Sequence, residues 1–417
     1  MTFDAFANTA SLSNVETIIS GSAADALTLS SALTTGMSLD LGAGSDTLTL
    51  SNVANSGSVS NVETLIGVAA ADAITFGTTA TNASIDLGGG SDSLTFANTV
   101  NKASVSNVET ITGGSLADTL RLATALTTGM TVDLGAGNDL LTLSATAGNT
   151  GTVSNVETAL GSSGADTITL GATVANASFD LGAGSDSLTL ATGANTATVA
   201  NTETVTGSSG PNTVVISGVA NNVSLDLGSA NDRVTFGNFA NTGTIANTET
   251  VVGGSAADLI TLGTALTTAM SLDLGAGNDV LTLGNVANTG SISNVETTSG
   301  GTAADTVTFG TSVTSASIDL GAGSDTLTLG NFTNRASLSN VETITGGSGN
   351  DTVSLASSLT TGMAVDLGAG NNILTLAASA GNTGTVSNVG TISGSAGADA
   401  VTLGGAISNG SVDLGVG

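Results

Sequence analysis

Short runs of alternating apolar and polar residues recur along the whole chain, and glycine-rich segments separate them. In Thr47-Leu48-Thr49-Leu50 the two leucines lie on one side of an extended strand and the two threonines on the other. Runs of this kind, rich in leucine and β-branched residues and bounded by Gly, Asn and Ser, are typical of strands that bury one face. The pattern predicts an all-β protein.

A repeat of 46 or 47 residues organises these runs. The tripeptide Asp-Leu-Gly begins at Asp40, Asp86, Asp133, Asp180, Asp226, Asp273, Asp319, Asp366 and Asp413. A second motif, Ser/Ala-Asn-Val/Thr-Glu, places its glutamate at Glu16, Glu63, Glu109, Glu157, Glu203, Glu249, Glu296 and Glu342, and a ninth copy has Gly390. Because this spacing leaves no room for a linker, residues 1–417 are predicted to form one domain of about nine units.

Each unit divides into two similar halves, for which residues 108–122 and 131–143 are an example. Each half contains a strand, a glycine-rich turn that ends in Asp or Asn, and a second strand. Successive turns are 20–21 or 26–27 residues apart, too few for a helical crossover, so the coils should stack as parallel strands. The sequence predicts a single continuous parallel β-solenoid of the β-roll or β-helix kind, right-handed, with two coils per unit and about 18 coils in all, roughly 85 Å long.

Composition narrows the class of protein and its partners. Hydrophobic residues make up 40% of the chain, which is too many for a disordered segment. Four basic residues against 33 acidic ones give a net charge of −29, which argues against nucleic acid and anionic membranes as partners and favours divalent cations. Cysteine is absent, which excludes disulfides and thiolate sites. No apolar run is long enough to embed the chain in a membrane.

The acidic residues fall into four sets that repeat with the units, and only Asp4 lies outside them. Two sets are the aspartates and glutamates of the two motifs. The third set closes the first turn of each unit, here called the first-type turn: Asp25, Asp72, Asp118, Asp166, Asp258, Asp305, Asp351 and Asp399. The fourth closes the second-type turn: Asp46, Asp92, Asp139, Asp186, Asp232, Asp279 and Asp325. If both turns lie on one edge, their carboxylates stack about 5 Å apart and repel each other, which calls for a cation such as Ca²⁺.

Several turns resemble a known calcium-binding motif. GAGSDTLTL (42–50), GAGNDLLTL (135–143), GAGNDVLTL (275–283) and GGSGNDTVSL (346–355) are similar to the Gly-Gly-x-Gly-x-Asp-x-apolar-x nonapeptide of repeats-in-toxin proteins. Those proteins form parallel β-rolls in which the turn aspartates and neighbouring carbonyls bind calcium. The resemblance therefore implies that the second-type aspartates, and then the first-type ones, hold Ca²⁺. Here 11 or more residues separate successive matches, and Asn212 and Asn372 replace the aspartate. The metal-free alternative is that these side chains hydrogen-bond the turn backbone.

Two further columns have mainly structural explanations. Asparagine occurs in all nine copies of the second motif, at Asn14, Asn61, Asn107, Asn155, Asn201, Asn247, Asn294, Asn340 and Asn388, and these amides are predicted to stack on one another. Threonines recur in the second strand of each half. A flat threonine array can bind ice, but that column gives only four clean pairs: Thr47/Thr49, Thr167/Thr169, Thr306/Thr308 and Thr326/Thr328.

No catalytic site is predicted, because histidine is absent, Lys102 is isolated and the carboxylates repeat identically instead of forming one distinct pair. We expect a non-enzymatic, extracellular or cell-surface structural protein. Both ends fall inside a repeat unit and lack a polar cap, so copies should assemble end to end into a filament, matrix fibre or surface layer, unless the chain is a section of a longer protein. Cell-surface polysaccharide is a further expected partner. The resemblance implies type I secretion without a signal peptide. The alternatives are a calcium-binding spacer or stalk of a secreted adhesin or toxin, and an ice-binding solenoid.

Overall fold

A computed structural model describes residues 1–145, 148–378, 381–407 and 410–416. The chain divides into two compact units, Met1–Thr213 and Val214–Gly417, and each is described by itself. Every element assigned in the described residues is a β-strand, as predicted. Those residues contain no helix that is long and apolar enough to cross a membrane.

The unit Met1–Thr213 contains 22 complete strands. In chain order they are β1 (Thr9–Leu12), β2 (Thr17–Ile19), β3 (Ala26–Leu29), β4 (Ser38–Asp40), β5 (Thr47–Thr49), β6 (Ser56–Ser60), β7 (Thr64–Val68), β8 (Ala73–Phe76), β9 (Thr81–Gly88), β10 (Ser93–Thr95), β11 (Lys102–Ser106), β12 (Thr110–Thr112), β13 (Thr119–Leu122), β14 (Thr131–Asp133), β15 (Leu140–Thr142), β16 (Thr150–Ser154), β17 (Thr158–Ser162), β18 (Thr167–Leu170), β19 (Ala175–Gly182), β20 (Ser187–Thr189), β21 (Asn195–Ala200) and β22 (Thr204–Ser208). The point of division falls within β23 (Asn212–Ile216).

The strands of the unit Val214–Gly417 follow the same order of lengths and spacings. They are β24 (Val223–Gly228), β25 (Arg233–Phe236), β26 (Thr242–Ala246), β27 (Thr250–Val252), β28 (Leu259–Leu262), β29 (Ser271–Asp273), β30 (Val280–Thr282), β31 (Thr289–Ser293), β32 (Thr297–Gly301), β33 (Thr306–Phe309), β34 (Thr314–Gly321), β35 (Thr326–Thr328), β36 (Arg335–Ser339), β37 (Thr343–Thr345), β38 (Thr352–Leu355), β39 (Ala364–Asp366), β40 (Ile373–Thr375), β41 (Thr383–Ser387), β42 (Thr391–Ser395), β43 (Ala400–Leu403) and β44 (Ser411–Gly415).

The chain winds between two parallel sheets in each unit. In Met1–Thr213 the odd-numbered strands pair in chain order from β1 to β21, and the even-numbered strands do so from β2 to β22. In Val214–Gly417 the same holds for β25 to β43 and for β24 to β44. One strand from each sheet makes one turn, so the predicted parallel β-solenoid is confirmed, with about 20 turns against the predicted 18.

Each 46–47-residue repeat contributes five strands, which is two and a half turns, half a turn more than the sequence predicted. The Asp-Leu-Gly motif shows this, because it lies in β4 at Asp40, in β9 at Asp86 and in β14 at Asp133. An odd number of strands moves each motif to the opposite sheet in the next repeat. The predicted 26–27-residue coil is therefore one and a half turns. From Asp46 the chain makes a full turn to Glu63 and a further half turn to Asp72.

The core is a stack of inward-facing aliphatic side chains. Leu27, Leu48 and Leu65 occupy paired positions on β3, β5 and β7 and are at most 1% exposed. The threonines beside the first two, Thr28 and Thr49, face outward. Burial of each leucine contributes about 1.5–3 kcal/mol, and each side chain is covered only by its neighbours in the stack. The alternation of the sequence thus becomes the inside and outside of the solenoid.

Candidate functional site

The acidic turn residues lie inside the solenoid, in columns here called acid ladders. One ladder consists of Asn241, Asp258, Asp279 and Glu296, which directly precede β26, β28, β30 and β32. Asn241 donates from its backbone N and from Nδ2 to Asp258 Oδ1, each at 2.9 Å. Asp258 N donates to Asp279 Oδ1 at 2.7 Å, and Asp279 N donates to Glu296 Oε2 at 2.9 Å. Each carboxylate therefore accepts the backbone N–H that opens the neighbouring coil.

Glycine in the turn makes this close stacking possible. Gly275 has a φ of +88°, and a Cβ at this position would lie 2.1 Å from Gly254 O of the adjacent coil. A side chain would therefore push the coils apart and would also strain the backbone. The turn glycines are required by geometry, whether or not a metal is bound.

The same ladder recurs in the other repeats. Complete ladders are Asn8–Asp25–Asp46–Glu63, Asn55–Asp72–Asp92–Glu109, Asn101–Asp118–Asp139–Glu157, Asn149–Asp166–Asp186–Glu203 and Asn288–Asp305–Asp325–Glu342. Three further turn residues make part of the same ladder. Asp232 N donates to Glu249 Oε2, and Asp351 and Asp399 accept from the backbone N of Asn334 and Asn382. Of the 15 predicted metal ligands, all but Asp399 are at most 2% exposed.

Successive ladders lie beside the first residues of strands in opposite sheets, because each repeat has five strands. Asp46 precedes β5 of the odd-numbered sheet, whereas Asp92 precedes β10 of the even-numbered sheet. Within a repeat the two turn types are adjacent rungs on one edge, which is the condition under which the sequence predicted close carboxylates. The same turn type does not form one unbroken column along successive repeats.

The outer oxygens of the turn carboxylates differ between the two turn types. Oδ2 is buried and has no hydrogen-bond partner in the second-type residues Asp46, Asp92, Asp139, Asp186, Asp279 and Asp325. In several first-type turns Oδ2 accepts a further bond, for example from Gly114 N to Asp118 at 3.1 Å and from Ser162 N to Asp166 at 3.0 Å. Asp72, Asp305 and Asp351 lack that bond. A buried carboxylate oxygen without a partner is costly, so the second-type turns carry the larger electrostatic strain.

The pKa values of Asp279 and Asp139, of the second type, and of Asp25, of the first type, are shifted in opposite directions. Burial, helped by the nearby carboxylates of Asp258, Glu296 and Asp273, raises the pKa of Asp279 to about 6, although the hydrogen bond from Asp258 N opposes the rise. Burial raises the pKa of Asp139 to about 6 in the same way. Burial also acts on the first-type residue Asp25, but hydrogen bonds from Ser20 and Asn8 outweigh it and hold its pKa below the usual value.

The carboxylates of one ladder do not by themselves make the ligand set that the resemblance implies. Calcium takes six to eight oxygen ligands. Here one oxygen of each turn carboxylate already accepts a backbone N–H, and successive carboxylates are spread along the stack, one per coil. In the described part of the chain no three acidic side chains converge as a metal site. Calcium binding at these residues stays a prediction.

The two sequence motifs meet at a second, more exposed contact. Asn294 Nδ2 donates to Asp273 Oδ1 at 2.7 Å, and Gly275 N donates to the same oxygen at 3.0 Å. Asn294 also has a left-handed φ of +53°, which asparagine tolerates better than most residues. The predicted amide-on-amide stack of these asparagines is wrong, because successive copies lie on opposite sheets and the amides of eight of the nine copies, all but Asn14, donate to an Asp-Leu-Gly aspartate instead.

Sequence reasoning missed the asparagine that heads each ladder, which is buried in all of these ladders except that of Asn8. Its signal was present, since an asparagine stands 17 residues before every first-type turn residue, as in Asn241 and Asp258. Its Oδ1 accepts a backbone N–H from a neighbouring coil, and its Nδ2 donates to carbonyl groups of its own loop. Asn288, for example, donates from Nδ2 to Val286 O and Gly284 O.

A continuous hydroxyl column covers the outer face of the even-numbered sheet in Met1–Thr213. We call the following residues, on paired positions of β10 to β22, the hydroxyl face: Ser93, Thr110, Thr131, Thr152, Thr169, Thr189 and Thr206. A second hydroxyl lies two residues away on every one of these strands except β14, where Asp133 stands. The sequence analysis missed this array because it compared only the second strands of each half.

Comparison with protein-family models, with curated proteins and with solved structures finds no match to this chain. The stack of parallel coils is the architecture expected of a β-roll-like repeat protein. Membership in the repeats-in-toxin family stays a prediction.

Proposed function

We propose that this chain is a non-enzymatic structural repeat protein that assembles end to end outside the cell, as a filament, matrix fibre or surface layer. The observation that carries the proposal is that every coil in the parallel stack depends on its neighbours to cover its apolar side chains. The coil formed by β43 and β44 shows the state of such side chains where no further coil is described. Leu403 and Val412 face the interior side of their strands yet are 47% and 46% exposed. Their partners on the preceding coil, Val386 and Ile392, are at most 2% exposed.

The described residues leave this coil uncovered on one side. β43 and β44 each pair with one strand only among the described residues, so each leaves an edge of unpaired N–H and C=O groups. A second copy that continued the sheets would pair those groups and cover both apolar side chains. Following residues of a longer protein would do the same, which is the spacer or stalk alternative.

A structural role also accounts for the acidic residues. The turn carboxylates and most motif glutamates accept backbone N–H groups, and the Asp-Leu-Gly aspartates accept from the motif asparagines. These contacts repeat along the chain, whereas a catalytic pair is expected to differ from its surroundings. The extracellular location, secretion without a signal peptide, calcium stabilisation and contact with cell-surface polysaccharide rest on the resemblance and on the net charge of −29.

Negative-stain microscopy of the purified chain tests assembly. We expect long fibres from the unmodified protein, and single particles from the variant with both Leu403→Lys and Val412→Lys. Val286→Lys is the matched control, because Val286 is 48% exposed in a side loop and should leave the fibres intact. Single particles from the unmodified protein in every condition would contradict self-assembly and favour the spacer.

The same grids separate calcium from assembly. Fibres in millimolar calcium that disappear with chelator support a calcium-stabilised filament. Fibres in both buffers keep the filament and remove calcium as its cause.

The hydroxyl face favours one second candidate, binding to ice. Hydroxyls repeated at the strand spacing of about 4.8 Å give a flat, regular surface with little charge. We expect inhibition of ice recrystallisation that Thr131→Lys abolishes and that Thr158→Lys, on the other sheet, leaves unchanged. An unmodified protein without any effect on ice growth would remove this candidate.

A further inference from the structure

The chain contains one second-type turn in which asparagine replaces aspartate, and its backbone contacts match those of an aspartate turn in the same unit. Asp351 N donates to Asn372 Oδ1 at 2.8 Å, as Asp258 N donates to Asp279 Oδ1 at 2.7 Å. On the other side, Thr391 N donates to Asn372 O at 3.0 Å and Thr297 N donates to Asp279 O at 2.8 Å. A neutral amide therefore fulfils the structural role of the carboxylate.

The second arm of the Asn372 amide shows what surrounds the side chain. Nδ2 lies 2.9 Å from Asn388 O in the next coil. It also lies 3.1, 3.2 and 3.4 Å from the carbonyl oxygens of Leu367, Gly368 and Ala369 in its own turn. This side of the turn is lined by oxygen acceptors, which suit either a hydrogen-bond donor or a cation, and at this turn the amide supplies the donor.

An ionised aspartate has no donor to offer at that place. The residues at the same positions around Asp279 are Leu274, Gly275, Ala276 and Asn294, and Oδ2 takes the place of the amide nitrogen. A carboxylate oxygen only accepts. Asp279 is fully buried, and its Oδ2 has no hydrogen-bond donor among the described residues.

The ladder of Asn372 differs in one further residue. The position of the glutamate rung, Glu296 in the ladder of Asp279, is Gly390 in the ladder of Asn372. Asn372 N therefore has no carboxylate rung beyond it, and yet the turn keeps its contacts with both neighbouring coils. Neither acidic group is needed to stack the coils at this turn.

We infer that the second-type turns are built around a hydrogen-bond donor at the buried outer position of the turn side chain, and not around a calcium ion. Asparagine fits this position, and aspartate is the poorer choice at Asp46, Asp92, Asp139, Asp186, Asp279 and Asp325. The inference differs from the ligand set that the resemblance implies. It is also independent of the proposed assembly, because it concerns the stability of a single chain.

Thermal unfolding of single chains, followed by circular dichroism at neutral pH with chelator, tests the inference. We expect Asp279→Asn to raise Tm by about 2 °C, because the new amide finds the carbonyl acceptors. The reverse change, Asn372→Asp, should lower Tm by a similar amount. Asp258→Asn is the control on the adjacent rung and should lower Tm. Its amide nitrogen would face Gly254 N, which is also a donor, and the charged acceptor of the Asn241 N–H would be lost.

A parallel series in millimolar calcium completes the test. The inference predicts the same rise for Asp279→Asn with and without calcium. A fall in Tm for Asp279→Asn, or failure of that variant to fold while Asn372→Asp is tolerated, would overturn it. So would a calcium-dependent rise in the Tm of the unmodified protein that Asp279→Asn removes.

Discussion

Asp258 and Asp279 lie on adjacent rungs of one acid ladder and are both at most 1% exposed. Asp258 accepts three N–H groups, from the backbone and side chain of Asn241 and from Gly254. Asp279 accepts one, from Asp258 N, and faces the carboxylate of Glu296 on the other side. The comparison teaches that burial does not by itself decide how well a carboxylate is tolerated. The number of donors that reach the carboxylate, from the neighbouring coil and from its own turn, decides it.

Replacing each of the two aspartates by alanine should give the largest difference in stability between the two rungs. Asp258→Ala leaves the donors of Asn241 and Gly254 buried without an acceptor, so we expect a loss of about 3 kcal/mol in the free energy of unfolding. Asp279→Ala leaves only Asp258 N unpaired and removes a poorly served carboxylate, so the loss should be about 1 kcal/mol or less. Chemical denaturation measures both. The exposed Asp4→Ala is the control and should change nothing; equal losses at both rungs would show that the donor count is irrelevant.

The pH dependence of stability sharpens the comparison next. The second-type residues Asp139 and Asp279 have a pKa raised to about 6, against about 3.9 for an unfolded aspartate. Their folded forms bind the proton more tightly, so this contribution is fully present below about pH 3.9 and is lost as pH rises through about 6. The first-type residues Asp25 and Asp399 have lowered pKa values, so their contribution is lost as pH falls through those values.

Together these shifts predict a maximum of Tm at mildly acidic pH. A variant with Asp139→Asn and Asp279→Asn should lose less stability between about pH 4 and about pH 7, because two of the titrating groups are gone. Calorimetric scans across that range provide the measurement. A Tm that rises steadily from acid to neutral pH would contradict the raised pKa values of the second-type turns.

The smallest expected effect concerns the last rung. Glu296→Gln keeps an oxygen that can accept from Asp279 N but removes the charge that faces Asp279. We expect a gain of about 0.5 kcal/mol at neutral pH and a pKa of Asp279 closer to its usual value. Carboxyl carbon NMR shifts followed through a pH titration check the pKa. Asp279 titrating unchanged in the variant would mean that burial alone raises its pKa.

The sequence predicted the strand type, the parallel stacking and the glycine turns, because each depends on local patterns such as Thr47-Leu48-Thr49-Leu50 and Gly-Ala-Gly. It did not predict the fifth strand of each repeat, which in one repeat is β16. Its alternation is weakened by Gly151, whose position leaves room for the side chain of Leu126; a Cβ there would lie 2.6 Å from Leu126 Cγ. Without that strand, copies of a motif are expected to stack on one another, whereas in the structure successive copies lie on opposite sheets.

The candidate site could be predicted from the sequence only as far as local patterns reach. The acidic turn residues were recognised as one repeating set, because their spacing is visible in the sequence. Their inward direction and their N–H partners depend on register, which the sequence fixes only through contacts between residues about 17–21 apart. The heading asparagine Asn241 was missed for that reason: its role appears only when Asp258 is placed beside it.

Paired cysteines test the central claim, that each ladder is built from adjacent turns of one repeat and that the next repeat continues on the opposite sheet. Thr261 and Thr282 are paired outward positions on β28 and β30, and neighbouring strands lie about 4.8 Å apart, within the reach of a disulfide. Because the chain has no cysteine of its own, oxidation reports only the introduced pair. We predict an intramolecular disulfide in Thr261→Cys/Thr282→Cys and none in Thr282→Cys/Thr308→Cys, because Thr308 lies on β33 of the other sheet, whereas a repeat of only two coils would place it beside Thr282. A disulfide in the second variant, or none in the first, would contradict the five-strand repeat and the ladders built on it.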